Sequence, residues 1–88
     1  MVREIRKQLI RSGSSVGANY VEAIAAGSRK DLANFLRHAL KSSNESKFWL
    51  ALLRDTGKGS NEEINAILEE FKAISSILAT SIRTISGK

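Results

Sequence analysis

Arg11-Ser-Gly-Ser-Ser-Val-Gly-Ala-Asn19 contains a formal G-x-S-x-G, from Gly13 to Gly17 with Ser15 at its centre, and the reading of this stretch decides the fold. As a nucleophile elbow it needs a strand that turns sharply into a helix and lifts the serine hydroxyl above a sheet. Asp31 and His38 even follow in the chain order of such an enzyme. The flanking residues argue otherwise. Ile5, Leu9, Val16, Tyr20 and Ala23 recur at helical spacing on a common face, which predicts a helix over about residues 2–26. Ser15 then has no strand before it. Asp31 and His38 fall seven residues apart on the next helix, with His38 beside Lys41 and Glu45 on its polar side. A surface histidine and an inert serine are expected, and no catalysis.

The glycines suit a helix for another reason. Gly13 and Gly17, four residues apart, lie one above the other. Each costs about 1 kcal/mol of helix stability relative to alanine, so close approach of a neighbouring helix is the expected compensation. A local kink at Gly13 is the alternative.

Two further helices follow. Leu32, Phe35, Leu36, Ala39, Leu40, Ser43, Leu50 and Leu53 mark one face of a segment over about residues 29–54, opened by Ser28 and Asp31. Asp55-Thr-Gly-Lys-Gly-Ser60 breaks the pattern. Ile64, Ile67, Leu68, Phe71, Ile74, Leu78, Ile82 and Ile85 then form the clearest stripe, over about residues 61–86, with Ser60 and Glu63 as a capping box. Proline is absent, and no segment alternates with a period of two. Residues 1–88 read as one all-α domain, an antiparallel up-down bundle of three long helices. With 88 residues the core is thin, and assembly with other copies would stabilise it.

Composition narrows the function. There is no cysteine and a single histidine, so no thiolate or histidine-rich metal site is expected, and no cofactor. No apolar run approaches the roughly 18 residues of a membrane span and no signal pattern opens the chain, which points to the cytoplasm and away from membranes. The net charge is +5, and it is uneven: 11 basic residues face 5 acidic ones up to position 58, against 3 and 4 beyond it. Such a bias favours polyanionic partners.

Glu4, Gln8, Arg11, Ser15, Asn19 and Glu22 form a continuous polar stripe on the first helix. It is either a solvated face or a hydrogen-bonded seam that fixes the register of packed helices.

These residues carry a resemblance. Gln8-Leu-Ile-Arg-Ser-Gly-Ser-Ser-Val-Gly-Ala-Asn19 with Glu22-Ala23, then Ser28-Arg-Lys-Asp31, Ala39-Leu-Lys41, Asn44-Glu-Ser46 and Trp49-Leu50, resembles the bacterial four-helix-bundle family that includes the 23S rRNA intervening-sequence proteins. The accessory proteins of diversity-generating retroelements are similar more distantly. The resemblance is strong over residues 5–55 and rests on pattern alone in the last helix. It implies a ring-like homo-oligomer, often a pentamer, without catalysis. It also implies that Arg11, Ser15, Asn19, Glu22 and Glu45 are the polar positions of a structural seam. Family members carry a further helix before the Gln8 position, whereas seven residues precede it here. The expectation is that this first helix is missing or shortened, or that a neighbouring subunit fills its slot. Phe48, Trp49 and Leu52 make the end of the second helix apolar nearly all round, the pattern of a helix buried on more than one side, and so a candidate oligomer interface.

For nucleic acid, Lys30, Asn34, Arg37 and Lys41 follow one face of the second helix, and Arg3, Arg6 and Lys7 form another cluster. Several cations on a rigid face suffice for phosphate binding without sequence readout. Phe48 lies on the same side. No nucleic-acid recognition motif is present. Two readings stand. One is a basic oligomeric bundle that binds RNA or DNA beside a reverse transcriptase or another nucleic-acid enzyme. The other is an oligomeric interaction scaffold with no nucleic-acid role.

Overall fold

A computed structural model of the chain describes residues 1–87. Three α-helices account for nearly all of them: α1 (Val2–Ile24), α2 (Arg29–Asp55) and α3 (Asn61–Ser86). Among the described residues there is no strand. The Gly13–Gly17 stretch lies wholly within α1.

The helix ends follow local chemistry. Ser28 Oγ accepts from the backbone N–H of Asp31, and Ser60 Oγ accepts from that of Glu63. Each satisfies one of the orphan donors of a first turn, and Asp31, Glu62 and Glu63 there oppose the helix dipole. Gly57, with φ of 69°, takes the left-handed conformation that ends α2's run-out. Thr56 Oγ1 donates to the carbonyl of Leu53 in the same corner. α1 stops two residues before the expected position 26, because the N–H of Ala26 bonds back only three residues, to Ala23 O, and closes the helix with a tight turn.

The helices form a slab of 44 × 20 × 15 Å with α2 in the middle. α2 packs against both α1 and α3, whereas the backbones of α1 and α3 do not approach each other. Side-chain pairs fix the packing order: Ser12 meets Ser46 and Ser15 meets Ser42, so contacts that ascend α1 descend α2. Arg54 reaches Asn65 and Arg37 reaches Ser86, the same relation between α2 and α3.

The core comes in two parts. At one end Ile5 of α1, Leu50 and Leu53 of α2, and Ile64 and Leu68 of α3 are buried together, with Leu9, Trp49, Leu52 and Phe71 against them. At the other end Ala23, Leu36, Ala39 and Leu78 form a second cluster, backed by Leu32, Phe35 and Leu40. Between them lies a belt of buried serines. Ser43 and Ser75 are joined at 2.7 Å, Ser12 and Ser46 at 2.8 Å, and Ser42 donates to Ser15 at 2.8 Å. Ser46 also donates to the carbonyl of Ser42, and no buried side-chain polar atom among the described residues lacks a partner. Hydroxyl pairs this short require the helix axes to come close, which only small side chains allow.

Some expected core positions are not covered. Tyr20, Ile67 and Ile74 belong to the predicted stripes yet remain exposed. α1 and α3 each have one close backbone neighbour, and one such neighbour covers only part of a wide apolar stripe.

Leu50 is 1% exposed at the centre of the first cluster. Leu50→Ala is expected to lower unfolding free energy by about 2–5 kcal/mol, from lost burial and the cavity left behind. A urea melt monitored by helical circular dichroism measures it.

Candidate functional site

Lys30, Arg37 and Lys41 all lie exposed on α2. The two ion pairs among the described residues, Arg54 with Asp55 and Lys72 with Glu69, engage none of them. Arg37 is held in place instead. Its guanidinium donates to Asn34 Oδ1 and to Ser86 Oγ, each at 3.1 Å, which ties one edge of the group to α2 and to the end of α3. A guanidinium fixed along one edge loses less side-chain freedom when the remaining donors meet a phosphate.

Beside Arg37 runs a shallow groove of about 540 Å³, lined by Arg37, Leu40, Lys41, Asn44, Glu45 and Phe48. It joins two cations to an exposed aromatic ring, a combination suited to a phosphodiester backbone with its bases. Glu45 at its edge opposes phosphate and marks the limit of the basic strip. The sequence had singled out the cations and Phe48; Leu40 and Asn44 are additions, spaced one turn apart between Arg37 and Phe48.

Arg3, Arg6 and Lys7 are exposed near the start of α1. Ile5 packs with Leu50 and Leu53, so this cluster sits at the opposite end of the slab from Lys30. The two basic groups do not form one surface.

The polar stripe of α1 divides. Ser15 and Asn19 are half-buried: the Asn19 amide donates to the Ser15 carbonyl at 2.9 Å and to its hydroxyl at 3.1 Å. Arg11, Glu22 and Glu45 are exposed, which corrects the expectation that they belong to a buried seam within the chain. The physical reason is size. Serines fit the narrow space between α1 and α2, while long charged side chains beside them reach water. Arg11, Ser15 and Glu45 do gather round a polar cleft of about 340 Å³, together with Gln8, Ser12 and Ser42. Glu22 stands apart from it. The seam itself is built from Ser12, Ser42, Ser43, Ser46 and Ser75. A signal for it existed in the sequence: Ser75 stands four residues after Phe71 and three before Leu78 on α3, and Ser12 stands three after Leu9 on α1.

Trp49 and Leu52 are half-buried against the core, and the Phe48 ring meets Trp49 edge-on at 5.0 Å. α2 is apolar on several sides here because α1 and α3 flank it within the chain, and they cover Trp49 and Leu52 in part. Phe48 alone of the three is exposed. The glycines also differ from expectation. A Cβ on Gly13 would meet Phe71 at an ordinary 3.9 Å, and one on Gly17 would meet nothing within 4 Å. Neither is needed for packing within the chain.

Ser15 accepts from Ser42 and Asn19, both neutral donors, inside a helix. Nothing there resembles a strand-to-helix elbow. Among the described residues no three of His, Asp and Glu gather in a geometry that could hold a metal ion, and no helix is long and apolar enough to cross a membrane.

A family model described as 23S rRNA-intervening sequence protein matches residues 2–80. Among solved structures the chain is similar to a protein with unknown function from the S23 ribosomal protein family of Bacteroides thetaiotaomicron, determined by crystallography at 1.70 Å resolution. The two are 40% identical, with 90% of this chain and 70% of that chain covered and a TM-score of 0.86. No curated protein matches. The family match reaches through most of α3, where the sequence motifs offered only a pattern.

Because Arg11 is exposed and without an ion pair, Arg11→Ala is expected to change stability by no more than about 0.5 kcal/mol. A denaturant melt of the isolated chain checks it; a loss of several kcal/mol would restore the buried charged seam.

Proposed function

The chain belongs to the 23S rRNA-intervening sequence protein family, and from that premise we propose that it is a non-enzymatic, basic, antiparallel helical protein that self-assembles and binds nucleic acid without reading its sequence. It acts in the cytoplasm as an accessory to a nucleic-acid enzyme such as a reverse transcriptase. The observation that carries this reading is the face of α2. Lys30, Arg37 and Lys41 are exposed and outside any ion pair, Arg37 is braced by Asn34 and Ser86, and a groove with Phe48 runs alongside.

Energetics favour the same use of that face. Cations on a rigid helix gain affinity by releasing counterions from the phosphates they neutralise. One copy offers few such contacts, but a closed assembly of the ring type repeats them, and a long polyanion engages several at once. The absence of any base-reading motif fits backbone recognition.

The test is binding of labelled RNA and DNA across a salt series. Affinity should fall with salt, with a log–log slope of about 0.7 per neutralised phosphate for single strands and about 0.9 for duplex. Changing Lys30, Arg37 and Lys41 together to Gln should lower both affinity and slope while helicity is retained. If the unaltered chain binds neither nucleic acid at about 50 mM salt, where this attraction is strong, the scaffold reading replaces this one.

A further inference from the structure

Six residues of α2 share one line. Lys30, Asn34, Arg37, Lys41, Asn44 and Phe48 follow steps of 4, 3, 4, 3 and 4, and all six are exposed. At about 1.5 Å per residue the line runs roughly 27 Å along the helix. It carries three cations, two amides and one ring; the carboxylates of Asp31 and Glu45 stand to one side of it.

The polar groups nearest the ring are held ready for a ligand. Ser75 Oγ donates to Asn44 Oδ1 at 3.2 Å, so the amide oxygen is turned to α3 and the amide N–H donors are left for the groove. Arg37, two turns back, is braced through Asn34 and Ser86. Phe48 is 59% exposed, and its ring meets that of Trp49, which packs against the core. A ring propped on a core residue and largely open to solvent gives a base a place to stack, with little side-chain freedom left to lose.

This layout bears on the form of nucleic acid that fits. A duplex keeps its bases inside the stack, where Phe48 does not reach them. It is also stiff, with a persistence length of about 50 nm, and its phosphates wind away from a straight line. A single strand bends freely, lays its phosphates along a basic track and turns a base onto an aromatic ring. Charge alone points the opposite way, because a duplex has the denser charge and releases more counterions per contact. The two contributions therefore separate in experiment.

We propose that this face of α2 takes a single strand of RNA or DNA, with phosphates along Lys30, Arg37 and Lys41 and one base stacked on Phe48. The proposal rests on the reading that the face binds nucleic acid, and it names the form that is bound. Every base has a π-face, so stacking on one phenylalanine agrees with recognition that does not read sequence.

The test compares oligouridylate, oligothymidylate and a DNA duplex, each about 20 nucleotides or base pairs long, on the full chain at one salt concentration. Both single strands should bind more tightly than the duplex. Phe48→Leu keeps an apolar side chain at an exposed position, so helicity should be unchanged. This variant should weaken binding of both strands about 10-fold, the worth of one stacked base, and leave the duplex within about 2-fold. Its salt slope should stay the same, because no phosphate contact is lost. Phe48→Trp should bind the strands as the unaltered chain does. A duplex bound as tightly as the single strands, or strand affinity indifferent to Phe48→Leu, overturns this proposal and leaves polyanion binding standing. A chain that binds none of the three probes overturns both.

Discussion

Hydroxyl-to-hydroxyl contact between helices is the constraint on which the rest of this structure depends. Ser12 with Ser46, Ser15 with Ser42, and Ser43 with Ser75 join α2 to both neighbours at 2.7–2.8 Å. An aliphatic contact tolerates sliding, since one methyl against another is much like the next. A buried hydroxyl does not, because losing its partner leaves a polar group away from water, at a cost of about 1–3 kcal/mol. The belt therefore sets the registers of both helix pairs, and the apolar clusters on either side of it fall into place as a consequence. Those clusters supply most of the stabilisation; the serines select which packing receives it.

The same belt thins the molecule. Helices held together by serines lie close, and α2 ends up with a neighbour on each side. α1 and α3 pack their backbones against α2 alone and meet each other only through side chains such as Ile5, Ile64 and Leu68, so each keeps an apolar margin. The exposed Tyr20, Ile67, Ile74 and Ile77 are this margin, and they explain why apolar stripes broader than one contact occur in so small a chain.

Helical periodicity made the three helices legible in the sequence, with ends accurate to one or two residues, because stripes at three- and four-residue steps have no strand alternative. The position of Lys30, Arg37 and Lys41 on an open face was legible for the same reason. Periodicity could not say which polar residues go inward. Arg11, Glu22 and Glu45 share a line with Ser15 and Asn19, and only the width of the gap between α1 and α2 separates those that fit from those that do not. Ser75 is hard to read because Ile74 beside it already fills the α3 stripe between Phe71 and Leu78, yet Ser75 is buried and Ile74 is exposed. Trp49 and Leu52 showed correctly that α2 is surrounded, but a sequence does not state whether the surrounding helices belong to the same chain. Gly13 and Gly17 posed the converse difficulty: spacing announces a close neighbour, yet Phe71 of α3 stands at an ordinary distance from Gly13 and nothing reaches Gly17.

The central place of α2 also orders the ways in which this chain can come apart. α1 or α3 can lift away with the backbone packing of the other against α2 intact, at the cost of the contacts Ile5 shares with Ile64 and Leu68. α2 cannot loosen without dissolving both apolar clusters at once. Opening free energies within one small domain are then graded: the two outer helices open locally, while the middle helix opens only with the whole. Backbone amides of Ala39 to Leu50 should accordingly be the slowest in the chain to exchange with deuterated water, ahead of those in either outer helix. The segment that bears the cations is thus the one least given to fluctuation, a fixed spine beneath two detachable flanks.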